Sequence, residues 1–450
     1  MRFTSQAVAA ATIAATTFVL LPQTASAGND DAVLIGDDAA MLGGAVTAIV
    51  EGGAGLWYNP AGIARTNLST LDLTATAYAL NLYRVSSMAS FSGGESTDAS
   101  VDEIVVIPTS LSYVRPLDDD LRLGAALFVT QRADYVLRTN LSADRPGGQR
   151  IDLILDEGVQ ATRYHAMAGL ATSIGEQLHL GFAIQAAYLS EVNNTQAAAA
   201  LVNADTSESD NFVAQTFQAS YTGIALAASL GVQWQPSDRW AFGLTVVSPF
   251  ALVYSSLRAP SINVISGIGG VSEAAIADTQ ESSFSFDPAF PAKFRLGAAY
   301  LGNGWGASID GDYAHPLKND ELGIDRTGVW NLRAGAYFDV GDELRMGFGA
   351  FTDRSAFRAP EQFGEFRAHF YGATVGMSFQ SERNLNEELE GIEQLLLGTN
   401  IAVRYAYGTG DYVGFVLDDG FTARQDLFTP RVVNTYGHEI GVYIGSRVRF

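Results

Sequence analysis

The chain has 450 residues, 47% of them hydrophobic and only 17% charged, with 46 glycines, no cysteine and a formal net charge of −22. The acidic balance argues against nucleic acid as a partner, and without cysteine an exported chain has no disulfides to hold it. Beyond the N-terminus no stretch reaches the ~20 consecutive apolar residues of a spanning helix, so a membrane role leaves only a closed β-barrel, in which every backbone group pairs internally.

Arg2, an apolar run from about Ala7 to Leu21 and the small residues Ala25-Ser26-Ala27 before Gly28 predict a secretory signal peptide over 1–27, removed on export. Residues 28–68 are too many for a mere leader into a first strand. They hold the short apolar stretch Val46-Thr47-Ala48-Ile49-Val50, ended by Glu51, then Gly52-Gly53-Ala54-Gly55 and Leu56-Trp57-Tyr58-Asn59-Pro60-Ala61-Gly62. Small residues, glycines and an Asn-Pro turn predict compact, non-strand structure.

From there, alternation with period two marks about fourteen strands, most of them long enough to cross a bilayer at a tilt. They cover 69–83, 104–115, 121–133, 158–173, 177–192, 219–235 and 240–247 in the first half. The second half continues with 292–301, 304–313, 328–340, 343–353, 367–380, 399–408 and 437–450. Short connections rich in turn formers (116–120, 174–176, 236–239, 302–303, 341–342) alternate with long ones (84–103, 134–157, 193–218, 248–291, 314–327, 354–366, 411–436). That asymmetry is the pattern of a bacterial outer-membrane barrel, with short turns inside and long loops outside. Runs such as Asp118-Asp119-Asp120 and the acids of 205–210 fall in these connections, where solubility accounts for them. The connection 381–398 breaks the rule by being long, and Leu385, Leu389, Ile392 and Leu396 predict a short amphipathic helix there.

The last strand alternates between Ile440, Val442, Ile444, Val448 and Phe450 on one side and Glu439, Tyr443, Arg447 and Arg449 on the other. A soluble edge strand could alternate this way too, but a terminal aromatic suits the lipid interface of a closing barrel strand and is similar to the C-terminal signature of outer-membrane proteins.

Asn59-Pro60-Ala61, Phe290-Pro291-Ala292-Lys293-Phe294-Arg295-Leu296-Gly297, and Trp330-Asn331-Leu332-Arg333-Ala334-Gly335-Ala336-Tyr337 with Asp339 and Leu344-Arg345 together resemble the FadL family of outer-membrane transporters, TodX-like members included. The resemblance runs from about Gly28 to Phe450. It implies a monomeric, fourteen-stranded transmembrane antiparallel β-barrel over 69–450, its lumen plugged by a hatch over 28–68 that carries Trp57, Tyr58, Asn59, Pro60, Ala61 and Gly62. It further implies diffusion-driven uptake of long-chain fatty acids or other hydrophobic molecules, without cofactor or metal. Capture by the outer loops, transfer to a site beside the hatch and release when the hatch shifts would follow, with lateral exit through the wall known for the family. Such a barrel would be inserted by barrel-assembly machinery and surrounded by outer-membrane lipid and lipopolysaccharide.

An apolar substrate needs an apolar route past water. Phe250, Leu252, Val253, Tyr254, Leu257, Ile262, Val264, Ile265 and Ile268 crowd the fourth long connection, and 197–202 the third. The resemblance assigns an outer hydrophobic groove to these two loops; packing of the loops on one another is the alternative. A carboxylate would want a cation with hydrogen bonds, and strand phase turns Lys293, Arg295, Arg333, Arg345 and Arg404 to the lumen, opposite Phe294, Leu296, Leu332 and Leu344. Most lumen arginines pair with acidic neighbours instead. Five scattered histidines and the lack of a Gly-x-Ser-x-Gly elbow give little support to an enzyme. A general porin and a barrel-embedded lipid hydrolase are the competing readings.

Overall fold

The fold is described from a computed structural model, over residues 33–92, 94–145, 148–203, 209–266, 272–320, 324–361, 364–384, 394–417 and 428–450. The expected signal peptide and Leu385, Leu389 and Ile392 lie outside the described residues. The first half of the wall consists of β1 (Thr70–Phe91), β2 (Ser96–Pro116), β3 (Leu121–Arg145), β4 (Gln149–Ile174), β5 (Leu178–Asn203), β6 (Ser209–Ser237) and β7 (Trp240–Val247). An outer ribbon follows, β8 (Phe250–Ser266), β9 (Ser272–Ser283) and β10 (Asp287–Phe290), and the wall resumes with β11 (Lys293–Leu301) and β12 (Trp305–Ala314). A small hairpin, β13 (Leu317–Asn319) and β14 (Ile324–Arg326), precedes β15 (Val329–Val340), β16 (Leu344–Asp353), β17 (Phe366–Asn384), β18 (Gln394–Leu417) and β19 (Phe428–Arg449).

Antiparallel neighbours follow one another from β1 to β7, then through β11, β12 and β15 to β19, and β19 pairs back onto β1. Counted along the ring this closes a barrel of fourteen strands; β8, which continues the wall beside β6 above Ser248-Pro249, makes fifteen when counted separately. Closure of β19 onto β1 removes the two end edges of the sheet, which lipid could not hydrogen-bond. The outer surface carries Leu73, Leu127, Ile184, Leu230, Leu296, Leu332, Val375 and Ile444 exposed. Trp234, Trp240, Trp305 and Phe450 mark one end of this belt, and Tyr164, Tyr188, Tyr371 and Tyr436 the other, as the aromatic girdles of a membrane barrel do. No described helix is long and apolar enough to cross a membrane.

Two expectations are corrected. The long connections are mostly strand: β1 to β6 and the β18–β19 pair run well past the belt, and 248–291 is the paired ribbon β8–β10 rather than a loose loop. Beyond the lipid both faces of a strand meet water or other hairpins, so the period-two signal that marked the wall fades while backbone pairing continues. In 381–398, Ser381 pairs with Leu397 and Glu382 with Leu396, so the ends of the expected helix continue β17 and β18. Leu396 therefore lies in β18, while the other three positions of the expected spacing fall within 385–393, outside the described residues.

Above the belt the hairpins converge. Near Ser87, whose φ of 51° is unusual for a residue with a side chain, β1 leaves β19 and pairs in parallel with β18 through Ala89–Phe91. Met88, Phe91, Leu137, Ile151, Leu153, Phe351, Phe370 and Phe415 pack there as one buried cluster that joins β1–β4 to β16–β19 across the mouth. The Tyr412 hydroxyl donates to Glu157 at 2.7 Å over the same span.

Below this cluster the lumen holds residues 33–69. They form α1 (Asp37–Met41), a 3-10 turn at Gly52–Ala54, α2 (Gly55–Tyr58) and a 3-10 helix at Pro60–Arg65, as the small-residue composition predicts. Their own core, Leu34, Ile35, Met41, Leu56, Tyr58 and Ile63, packs on inward residues of the wall such as Phe128 and Met167. The approach is so close that a Cβ on Gly231 would strike Asn59 and Pro60, and one on Gly243 would strike the Thr47 carbonyl. Gly243→Val is expected to leave the barrel assembled, shown by heat-modifiable migration, while the overpacking weakens seating of 33–69 by about 1–3 kcal/mol. Faster proteolysis of the N-terminal segment in folded barrels is the readout; unchanged protection contradicts the close packing.

Candidate functional site

Asn59 is the knot of the lumen segment. Its extended backbone ends α2, and its side-chain oxygen accepts from the Ala61 N–H at 3.1 Å as an N-cap, with Pro60 in the first helical position, where the missing N–H costs nothing. Its amide donates to the carbonyls of Thr47 and Val232, each at 2.9 Å, tying two parts of the segment to β6. Gln233 adds bonds to Thr47 and Val50, and Asp310 accepts the Thr47 N–H at 2.8 Å. On the far side Thr374 donates to the Met41 carbonyl, and Arg122 to that of Thr66. Backbone groups that a short, irregular segment cannot pair internally are thus met by wall side chains around the ring.

Tyr58, Asn59, Pro60, Ala61 and Gly62 are buried, whereas Trp57 is partly exposed to the lumen. The ring of Trp57 meets His165 edge-on with centroids 5.1 Å apart, and Phe128 at 6.1 Å. From His165 the rings continue to Phe250 at 5.7 Å, and from Phe250 to Phe290 at 5.7 Å. Phe290 lies between two guanidiniums, Arg163 at 4.3 Å and Arg326 at 5.3 Å, and Arg326 also covers Phe357 at 4.9 Å. A chain of edge-on ring contacts therefore links Phe290 through Phe250 and His165 to Trp57 and Phe128 inside the barrel, with Phe357 joined to Phe290 through the Arg326 guanidinium and with Phe128, His165 and Phe250 buried.

The expected hydrophobic groove is divided. Phe250 and Leu252 point inward and pack with Ala187, Ala225, Val247 and Ala289, while Tyr254 lies against the exposed Phe284 with tilted rings 5.2 Å apart. Val253 and Leu257 are half-buried and Ile262 is exposed. Val264 and Ile265 belong to β8, but their side chains, like Ile268 as a whole, lie outside the description. An apolar run becomes one surface only if it shares a face, and the pleat of β8 distributes this one over two.

The lumen cations have acidic neighbours. Arg295 and Arg333 both lie on Asp312, at 3.4 and 3.1 Å, and Arg295 donates to the Trp57 carbonyl at 2.6 Å. Arg404 meets Glu439 at 2.8 Å; Arg345 meets Asp339 at 2.7 Å and covers the Tyr337 ring. Lys293 instead lines a cleft on the outer side of β11–β16.

The wall itself is interrupted. β2 and β3 pair from Pro116↔Arg122 to Ser110↔Phe128 and then not again until Ser100↔Arg138. Within the gap the Glu103 carboxylate accepts the Asp134 N–H, with Asn81 donating to its other oxygen at 2.9 Å, and Arg132 reaches the Val106 carbonyl at 3.5 Å. Side chains stand in for a missing ladder, and Phe128, at the lower lip of the gap, is also the last ring of the aromatic strip. His165, Phe128, Phe290, Arg163, Arg326, Phe357 and Glu103 were not expected as site residues; inward strand phase was the available signal for most of them, though not their convergence.

At the base, Arg447 bridges Asp72 and Asp38, and Thr74 donates to Asp37 at 3.1 Å. Burial raises the Asp37 pKa to about 6; Arg447 opposes the rise, while Asp38 and Asp72 add to it. A carboxyl whose pKa is higher seated than released contributes stability below pH ~4, and loses it as pH rises through about 6. Protection of 33–69 from protease in folded barrels is expected to decline between pH 4 and 6.5, and Asp37→Asn to flatten that decline. An unaltered profile in the variant would assign the effect elsewhere.

Comparison with described protein families and with curated protein sequences finds no match. Solved structures do match. A FadL homologue from Pseudomonas aeruginosa aligns over 94% of this chain and 98% of its own at 11% identity, with a TM-score of 0.58. The P. putida toluene transporter TodX aligns over 92% and 97% at 14% identity, with a TM-score of 0.59. The monoaromatic hydrocarbon channel CymD aligns over 93% and 98% at 12% identity, with a TM-score of 0.54. The chain thus has, along nearly its whole length, the fold of the FadL homologue, TodX and CymD.

Proposed function

We propose that this chain is an outer-membrane channel through which long-chain fatty acids or other hydrophobic small molecules diffuse inward, with residues 28–68 as its hatch. The observation that carries the reading is the continuity of the aromatic strip, from Phe357 at the outer cleft through Phe290, Phe250 and His165 to Trp57 and Phe128, where the β2–β3 gap opens. An apolar molecule following it keeps contact with rings instead of water. Lumen residues 33–69 fill the direct route through the barrel, so the gap offers a lateral exit into the bilayer that needs only modest hatch movement. The hydrocarbon channels of like fold support an apolar cargo. In this reading the chain is exported by a cleaved signal peptide over 1–27 and inserted by the barrel-assembly machinery. It then acts as a monomer among outer-membrane lipid and lipopolysaccharide, without catalysis.

A general porin would pass small sugars in a liposome-swelling assay, whereas this channel is expected to show swelling no faster than protein-free liposomes. In cells carrying the protein, uptake of a labelled hydrophobic compound above that of empty-vector cells is expected. A Glu103→Cys, Asp134→Cys pair joined by a reducible cross-linker across the gap should cut that uptake severalfold and regain it on reduction. Full uptake with the gap tied shut would exclude lateral exit there.

A further inference from the structure

The outer aromatic girdle is not uniform around the ring. Above Tyr164 and Tyr188 the outward face of β4 and β5 continues with Thr162, Gln160, Ser190 and Val192, none of them charged or aromatic. On β17–β19 the same level is built differently. Tyr371, Tyr407 and His438 lie opposite one another on three adjacent strands, with Tyr405 two residues below Tyr407 on the same face. The Tyr405 hydroxyl meets His438 Nδ1 at 2.9 Å with the two rings stacked 6.1 Å apart, and the Tyr407 ring lies 5.1 Å from the same imidazole. Tyr371, Tyr405 and Tyr407 are all exposed on the outside of the barrel.

The two sides of this row of rings differ in chemistry. Towards the membrane centre the same outward face carries Val375, Met377, Ile401, Val403 and Ile444, all exposed. Away from it the face turns polar, with Arg367 and His369 on β17, Asp411 on β18, and Tyr436 opposite Arg84 across β19 and β1. Arg367 lies on Asp411 at 3.0 Å and Arg84 on Asp102 at 2.8 Å, and one carboxylate engages only part of a five-donor guanidinium. His369 is fixed as well: its Nδ1 accepts the Ser355 N–H at 3.1 Å, which leaves the ring proton on Nε2 as a donor. Cations and acids are matched here, Arg84, Arg354 and Arg367 against Asp102, Asp411 and Glu365. The face therefore offers both donors and acceptors beside exposed rings, which suits the hydroxyls and the C–H face of a sugar better than a bare anion.

We propose that the outward face of β17–β19 binds the sugar head of an outer-leaflet glycolipid, whose hydrocarbon chains lie along Val375, Val403 and Ile444. The sugar rests on Tyr371, Tyr407 and His438, and its polar groups reach Arg367, Asp411 and His369. Continuity with the lipid-facing belt decides the occupant: a head bound at this level has its chains in the bilayer, so a lipid gains apolar contact that a free sugar does not. The inference rests on the outer-membrane placement and not on what passes through the lumen, so the site and the channel fail separately.

The test uses full-length protein extracted from outer membranes in non-ionic detergent, with bound lipid counted by native mass spectrometry. The probes are lipid A, an acylated and phosphorylated glucosamine disaccharide, and phosphatidylglycerol, which is anionic and acylated but has no sugar. Wild-type protein is expected to prefer lipid A. In the Tyr407→Leu, Arg367→Gln double variant, with folding checked by heat-modifiable migration, the ratio of bound lipid A to bound phosphatidylglycerol is expected to fall about tenfold, the effect of ~1.4 kcal/mol. An unchanged ratio, including one in which both lipids decline together, overturns the proposal. A second measurement needs no variant: deacylated lipid A, the phosphorylated disaccharide alone, should bind wild-type protein far more weakly than lipid A. Equal binding of the two overturns the proposal in favour of a site for a free phosphosugar. Wild-type protein recovered outside the outer-membrane fraction overturns it together with the placement on which it stands.

Discussion

Everything in this molecule depends on the impossibility of leaving a backbone amide unpaired in lipid. Closure of β19 onto β1 satisfies that demand around the ring, and having satisfied it the wall is free to carry leucines, valines and aromatics outward. The same demand explains how the wall treats its exceptions. Where β2 and β3 separate, Glu103 and Arg132 take over hydrogen bonds that the ladder would have made. Where residues 33–69 adopt short helices and turns inside the barrel, Asn59, Gln233, Asp310, Thr374 and Arg122 serve their backbone groups one at a time.

The interior is organised by a division of labour along its height. At the base, ion pairs and hydrogen bonds around Asp37, Asp38, Asp72 and Arg447 hold the lumen segment. In the middle, rings from α2, β3, β4, β8 and β10 make a surface that is apolar but polarisable. At the top, half of the mouth is filled by the cluster around Met88, Phe370 and Phe415, whereas the side of β11–β16 keeps an open, cation-lined cleft. Arginines serve both structure and lining here, since Arg295 and Arg326 lie against rings while also belonging to a charged neighbourhood.

Much of the wall was legible in residue order. Phe294, Leu296 and Leu332 face outward and Arg295, Arg333 and Arg404 inward, as alternation predicted, because a strand pointing one residue to lipid must point the next to the lumen. The compact, non-strand character of 33–68 was legible from its glycines and the Asn-Pro pair. Less legible were the strand extensions beyond the belt and the ends of 381–398, where neighbouring strands rather than local spacing decided the backbone. The apolar run of β8 looked like one groove and proved to be two faces, with Leu252 buried and Ile262 exposed.

The sequence by itself determined the class of solution: a closed antiparallel barrel with short turns at one end, a compact N-terminal segment, and the inward or outward sense of most wall residues. These follow from local rules of alternation, turn chemistry and lipid solvation. Only the tertiary structure decided that Trp57, Phe128, His165, Phe250 and Phe290 form one strip, that Lys293, Arg326 and Arg354 share one cleft, and that β2 and β3 part above Phe128. Those residues lie far apart in the chain, and their meeting depends on register and curvature around the whole ring, which no local pattern encodes.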